Sequence, residues 1–265
     1  MKSGILSDLS PVLSAFCWSK LYLIFIFVKI FLMKVIFHLI IFGCFFNISL
    51  YSQNETNITY GLKVGGIHSS FSNLPETIKG RDNTFDNSTL ESKGKYGLET
   101  GFFLNCKLYD TRVAIQPEIL FRQSGETVKY RDVVGKEFEL GLNYAYLEIG
   151  ALYKVYPYEG LNLGFGAFYG INLSPNDISY SSNEADGMYD VATRQFYKDG
   201  LDGADDFALC FALGYELHKS IHFDFRYYLG VKDMVKSNAS SFQFIENQNK
   251  SSVFCFSVGY SFHKW

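Results

Sequence analysis

An all-β fold, an eight-stranded antiparallel up-and-down transmembrane β-barrel, is the architecture this sequence predicts. Three observations predict it. Bulky apolar residues alternate with small or polar ones in eight separate segments, each about ten residues long. The connections between those segments are long and short by turns. The apolar faces together carry far more bulk than so small a barrel encloses.

The segments follow in chain order. Ile58, Tyr60, Leu62 and Val64 alternate with Gly61, Lys63 and Gly65. Leu98, Phe102, Leu104 and Leu108 share a face against Glu99, Gly101, Asn105 and Lys107. Val113, Ile115, Ile119 and Phe121 oppose Gln116, Glu118 and Arg122. Leu147, Ile149, Ala151 and Tyr153 oppose Tyr146, Glu148 and Gly150. Leu161, Leu163, Phe165, Tyr169 and Ile171 face away from Asn162, Gly164, Gly166 and Gly170. Phe207, Leu209, Phe211, Leu213 and Tyr215 face away from Ala208, Cys210, Ala212, Gly214 and Glu216. Ile221, Phe223, Phe225, Tyr227 and Leu229 oppose His222, Asp224, Arg226, Tyr228 and Gly230. The last segment sets Phe254, Phe256, Val258, Tyr260 and Phe262 against Cys255, Ser257, Gly259 and Ser261, and Trp265 follows as an interface anchor.

Long polar connections are expected at residues 69–95, 123–141, 172–206 and 232–252, and short turns at 109–112, 156–160 and 218–220. Long loops on one side and short turns on the other are the outer-membrane pattern, with the long loops outside the cell. An even strand count returns the C-terminus to the side on which the chain arrived. A lipocalin shares the topology but lines its cavity with the apolar face. Volume decides against it. A barrel of this size, the OmpA or OmpX class, has room only for side chains that just fill it. Gly164, Gly166, Gly170, Gly214 and Gly259 fit inside with a few polar groups; the Phe, Tyr and Leu rows do not. The apolar face therefore meets lipid, and closure satisfies every backbone polar group.

Composition supports strands and narrows function. Phe and Tyr are abundant, Gly is plentiful and Pro scarce, as strands favour. A net charge of −3 provides no field to hold nucleic acid. Cys17 and Cys44 fall in the N-terminal apolar region, and Cys106, Cys210 and Cys255 share no short spacing, so neither a disulfide framework nor a zinc site is expected. Residues 21–50 are almost wholly apolar apart from Lys29 and Lys34. A helix crossing there would carry Lys34 near the bilayer centre, at high cost. Starting at Met33 instead gives a basic end, an apolar run and small polar residues near Ser52 and Gln53, the layout of a secretory signal peptide. Residues 1–52 are thus expected to be an over-extended start plus signal peptide, with Met33 the true start, and residues 53–265 the barrel domain. A retained anchor and a lipoprotein site at Cys44 are weaker readings, the latter because the apolar run continues past Cys44.

The segments "YGLKVGG", "IQPEILFRQSG", "LNYAYLEIGALYKV", "FALGYEL", "FDFRYYLG" and "FSVGYSF" resemble the outer-membrane β-barrel domain of Bacteroidota, the PorT-like group. The resemblance spans residues 59–262 and rests on the order and spacing of all the segments. It implies an eight-stranded barrel in the outer membrane and no fixed activity. It also implies a possible envelope protein partner, since some members are linked to type IX secretion and gliding. Gly150 stands where the family often has Pro. Pro117 inside the third segment donates no ladder bond, so a bulge is expected there.

Strand parity places Glu99, Lys107, Glu118, Arg122, Glu148, Glu216, Asp224 and Arg226 in the lumen. The plain expectation is a plug of ion pairs that fixes register; the sharper one is a narrow cation-preferring channel. Arg226, with Asp224 beside it, is the expected hub, and Glu118 or Glu148 its cross-barrel partner. No cofactor is expected. His218, His222 and His263 fall at the periplasmic rim, where three imidazoles could hold a transition metal; a hydrophilic rim is the plainer reading. Asp199, Asp202, Asp205 and Asp206 could take calcium, but their spacing is not that of an EF-hand. His68, with Ser69 and Ser70, is the one His on the other rim and carries the idea of a rim enzyme, for which nothing fixes the geometry. Loop aromatics Phe85, Tyr130, Tyr180, Met188, Tyr189, Phe196, Tyr197 and Phe244 (with one Met among them) offer contact surface. The functions in play are a non-enzymatic barrel that binds or docks in the envelope, with outer-membrane lipid around it; a small channel; and a rim enzyme.

Overall fold

A computed structural model describes residues 57–262, except 73–76, 79–87, 109–110, 132–134, 136, 184–194, 196–198, 219 and 238–248. Twelve strands are described: β1 (Asn57–Ser72), β2 (Thr77–Ile78), β3 (Ser88–Lys107), β4 (Val113–Arg131), β5 (Glu137–Val155), β6 (Leu161–Asn172), β7 (Ile178–Ser182), β8 (Leu201–Gly203), β9 (Asp206–Leu217), β10 (Ile221–Asp233), β11 (Val235–Ser237) and β12 (Lys250–Phe262). The eight long ones, β1, β3, β4, β5, β6, β9, β10 and β12, pair antiparallel in that order. β12 then closes on β1, with Leu62 opposite Tyr260 and Val64 opposite Val258. The molecule is a closed eight-stranded barrel, and no edge is left for lipid to meet.

Period two decides which side chain goes where. In β9 and β12 buried and exposed residues alternate along nearly the whole strand. The exposed members are the apolar ones: Leu213 is 50 % exposed and Phe256 55 %, and Phe102 on β3 reaches 66 %. In water such a surface would be untenable; against acyl chains it is the required one. Outward rings also meet at a tilt across strands, Tyr227 with Phe254 at 4.7 Å between centroids and Phe165 with Phe211 at 5.4 Å.

The strands run further than sequence periodicity suggests. Much of residues 123–141 is ladder: β4 continues to Arg131, β5 begins at Glu137, and their register holds without a break from Val113–Val155 to Arg131–Glu137. β3 likewise begins at Ser88, inside the segment expected as loop 69–95. β7 pairs with the upper part of β5, and β8 with β11, inside the other two long connections. The reason is chemical. Above the lipid a strand no longer needs an apolar outer row, so the alternation that marks it fades while backbone pairing goes on.

Pro117 makes no bulge. It lies opposite Ala151, and the ladder to β3 lapses between Phe103–Glu118 and Cys106–Ile115 and resumes in the same register. The real bulge is higher. Between Gly94–Glu126 and Glu99–Arg122 the β3–β4 register slips by one residue. There Ser69 reaches from β1 to β4: its hydroxyl donates to the Gly125 carbonyl (2.7 Å) and accepts from the Gly125 N–H (2.9 Å), satisfying backbone groups that the bulge leaves without a ladder partner.

Candidate functional site

The lumen is where this barrel concentrates its chemistry. Alternate residues of the long strands project there, and most of those side chains are buried. Seven of the eight charged residues assigned to it by parity are buried: Glu99, Glu118, Arg122, Glu148, Glu216, Asp224 and Arg226. Lys107, at the lower end of β3, has a side chain 36 % exposed.

Arg226 and Glu118 form the centre. The guanidinium grips the carboxylate with two parallel bonds, Nη1 to Oε2 at 2.6 Å and Nη2 to Oε1 at 2.8 Å, and Nη2 also reaches Asp224 at 2.9 Å. The planar fork of Arg suits this bidentate geometry. Glu118 also accepts from Gln116 Nε2, at 2.5 Å. Glu148 is not part of this hub; it pairs with Arg122 at 2.5 Å. Arg122 also holds Asp206 at 3.0 Å and lies over the Tyr228 ring at 4.7 Å. Tyr228 ties the two halves together: its hydroxyl donates to Glu99 Oε2 at 2.9 Å and lies 3.4 Å from Arg226 Nη1.

Sequence reasoning missed three members. Lys63 bridges Glu99 (2.9 Å) and Glu118 (3.3 Å). Lys154 stands 3.5 Å from Asp224. Asp206, at the start of β9, accepts from both Arg122 and the Ser251 hydroxyl (2.9 Å). Parity alone puts Lys63 and Lys154 in the lumen, so the signal was present. With these three, each buried carboxylate in the middle of the barrel has a cation beside it, as burial demands.

The lumen is also less purely polar than expected. Phe103, Leu120, Leu152 and Phe168 are buried inside. Glycine makes room for them. A Cβ at Gly150 would strike the Phe168 ring, and one at Gly214 would strike the Asn162 and Asp224 side-chain oxygens. Above the ion pairs, Phe71, Leu90, Val128, Leu140, Leu142, Tyr144, Tyr146, Ile178, Tyr180, Leu201, Met234 and Val235 form a buried apolar cluster. Tyr180, expected as an exposed loop aromatic, belongs to that cluster. Phe85, Met188, Tyr189, Phe196, Tyr197 and Phe244 lie outside the described residues, as do the side chain of Tyr130 and all of Trp265.

The two rims differ from simple metal or catalytic centres. At the lower rim, Glu216 accepts from the Tyr156 hydroxyl (2.5 Å), Lys107 (2.7 Å) and Asn105 (3.2 Å). His222 Nδ1 stands 3.6 Å from the same carboxylate, and its Nε2 is 2.5 Å from Ser261 Oγ. His218 sits in the exposed β9–β10 turn with φ 52°, and His263 lies outside the described residues. Among the described residues no three His, Cys, Asp or Glu side chains converge as metal ligands. The four loop aspartates are dispersed to separate tasks. Asp199 accepts from Gln195, Asp202 lies in β8 opposite Lys236, and Asp206 serves Arg122. Asp205 accepts from the Tyr169 hydroxyl (2.8 Å) and the Asn172 N–H (3.1 Å), and these bonds hold its carboxyl below the usual range.

At the upper rim His68 packs on Tyr96, ring centroids 4.9 Å apart, on the outer side of the wall. Ser69 is committed to Gly125 and Ser70 donates to the Ser252 carbonyl. Among the described residues no carboxylate forms an ion pair with His68, so a nucleophile, base and orienting acid do not assemble there.

The family model of the outer membrane protein beta-barrel domain matches residues 51–236. No curated protein matches the chain. Similar solved structures include the attachment invasion locus protein Ail of Yersinia pestis, 11 % identical over 78 % of this chain and 99 % of that one, with a TM-score of 0.38. OprG from Pseudomonas aeruginosa is 13 % identical over 78 % and 97 %, TM-score 0.39, and the outer membrane protease OmpT from Escherichia coli 12 % identical over 79 % and 97 %, TM-score 0.31. Likeness at this level concerns the fold and says nothing of activity. Eight closed strands, an apolar outer belt, a charged interior and the family match agree, and the chain belongs to the outer membrane protein beta-barrel domain family.

Proposed function

We propose that the chain is a non-conducting, non-enzymatic barrel of the PorT-like group of Bacteroidota, which serves the envelope as a rigid membrane-held support for binding or docking at its extracellular end. The observation that carries this reading is the doubly blocked interior. The Arg226–Glu118 and Arg122–Glu148–Asp206 pairs fill the middle, and the cluster around Leu142 and Tyr146 fills the upper part. Side chains held by two or three bonds each do not step aside for ions at low cost. A rigid wall carrying longer connections on one side is the arrangement that presents a binding surface. The envelope partner, whether from secretion or gliding machinery or elsewhere, follows from the family resemblance alone.

Recording from purified barrel in planar bilayers tests the reading. Flat current traces are expected across the voltage range; discrete conductance steps would restore the channel. Export enters the same proposal: a signal peptide ending at Ser52 predicts that N-terminal sequencing of outer-membrane material begins at Gln53. A start upstream of Met33 in that material would refute it.

A further inference from the structure

We propose that the Arg122–Glu148–Asp206 triad in the lumen holds one exchangeable proton at neutral pH, carried by Glu148, and that this proton secures the start of β9. The charges of the buried middle divide into two sets. Arg226, Lys63 and Lys154 face Glu118, Glu99 and Asp224, three cations to three carboxylates, so that set is neutral. Arg122 alone faces Glu148 (2.5 Å) and Asp206 (3.0 Å), one cation to two carboxylates. At the lower mouth Lys107 answers Glu216, so no spare cation comes from there.

The geometry makes the surplus charge local. Both acids take the same nitrogen of Arg122, Nη2, instead of one on each side of the fork. Arg122 Nε and Nη1, Glu148 Oε2 and Asp206 Oδ1 are buried with no hydrogen-bond partner among the described residues. Two carboxylates that converge on one buried nitrogen cannot both stay ionised at low cost, so one of them keeps a proton. The bonds say which. Asp206 has a second donor, the Ser251 hydroxyl at 2.9 Å, and is the better-held anion. The other groups around Glu148 supply no further cation. Glu99 from β3 and Lys63 from β1 face it but offset each other at 2.9 Å. From β10, Tyr228 lies against Arg122, and Arg226 is taken by Glu118 and Asp224. Tyr146 stands two residues along β5, and Gly170, opposite on β6, brings no charge.

The place of the triad gives the proton a task. Arg122 comes from β4, Glu148 from β5 and Asp206 from β9, and Ser251 adds β12. Asp206 opens β9 just after Ala204, which ties the upper wall together. The Ala204 carbonyl accepts from the Tyr146 hydroxyl (3.3 Å) and from Asn172 Nδ2 (3.3 Å), and its N–H donates to the Met234 carbonyl (2.7 Å). Ionising Glu148 sets it against Asp206 across one nitrogen, and the repulsion acts on the residues joined to Asp206. In the unfolded chain a glutamate is ionised at neutral pH. Folding therefore takes up one proton, and the folding equilibrium falls as the pH rises, by up to about tenfold per pH unit until Glu148 ionises in the barrel as well.

Infrared spectroscopy of the purified barrel in micelles tests for the proton directly. At neutral pH the wild type should show a carboxylic-acid carbonyl band that shifts when the glutamates are carboxyl-labelled. Glu148→Gln and Asp206→Asn should each abolish that band, since removing either acid removes the surplus charge. Heat-modifiable migration on a gel verifies that each variant is folded, and the wild-type band alone decides the matter if one is not. In urea unfolding, Glu148→Gln should lose the fall in stability between neutral and mildly alkaline pH. Amides of Leu201 to Asp206 should lose protection at mildly alkaline pH in the wild type and keep it in Glu148→Gln. No acid band in the wild type, or a band that survives in both variants, would overturn the proton. A band that shifts with labelled aspartate would move it to Asp206 and overturn the assignment. Stability that rises with sodium chloride and not with choline chloride would put a metal cation there instead. Unchanged protection of β8 while the band is lost would overturn its role at β9.

Discussion

The lower and upper parts of this barrel are built from the same strands under opposite rules. Along β4, Ile119 and Phe121 face outward while Glu118 and Arg122 face in; a few residues higher, Thr127 and Lys129 face outward while Val128 faces in. Along β5, Ile149 and Leu147 face outward with Glu148 inside, and above them Leu142 and Leu140 are inside with Glu139 outside. The backbone ladder does not change across this transition. Only the solvent does. In lipid the wall must be apolar outside and polar bonds move to the lumen; in water the wall becomes polar and the lumen a conventional core. A strand's inside and outside are therefore set by geometry, and which of them is greasy is set by depth.

That comparison can be broken at several points. The largest effect is expected from removing one partner of the central pair. Glu118→Ala leaves Arg226 buried beside Asp224 alone and should cost about 3–5 kcal/mol, read from urea unfolding of the barrel in micelles. Replacing both partners, Arg226→Met with Glu118→Leu, should recover much of that loss; a double variant as weak as the single one would mean that the pair is worth more than its desolvation. Next comes the upper core. Leu142→Ala should cost about 2–5 kcal/mol, and it should shorten protection of β4 and β5 amides above Arg122 while leaving those below intact. Uniform loss along both strands would argue against two separable layers. Third, Val258→Arg, in the middle of the outward row of β12, should cost about 2–4 kcal/mol, whereas Thr127→Arg on the upper outer wall should not change the midpoint. Equal penalties would erase the depth rule. The smallest effect is expected at Lys129, whose exposed pairing with Glu139 at 2.9 Å should contribute nothing measurable when Lys129→Ala is compared at low and high salt.

How much of this was legible in sequence follows from the same rule. The eight spanning segments could be read because lipid forces an outer apolar row, and that row is a period-two signal. The upper ladder could not be found in that way. "RQSGETVKY" carries no outward apolar row, and its inward one, with Glu126 beside Val128, is mixed. Continuing the parity of Glu148 upward through Tyr146, Tyr144, Leu142 and Leu140 would have exposed the second core, since those residues keep one face. The charged lumen residues were legible as a set, because parity decides inside from outside. Their partners were only half legible. Asp224 beside Arg226 is a local fact of one strand, but the choice between Glu118 and Glu148 depends on strand stagger around the barrel, which no single strand records.

The central charge pairs have a consequence for assembly. Glu118 and Arg226 lie far apart along the chain, and Glu99 shares its surroundings with Lys63 near one end of the barrel sequence and Cys255 near the other. A sheet that entered the bilayer before its final strands arrived would expose unmatched carboxylates and guanidinium groups to hydrocarbon, at a cost no half-made wall offsets. The lumen pairs are therefore expected to form in the same step that closes the ring, so that a chain lacking its last strand should fail to reach a folded, membrane-held state.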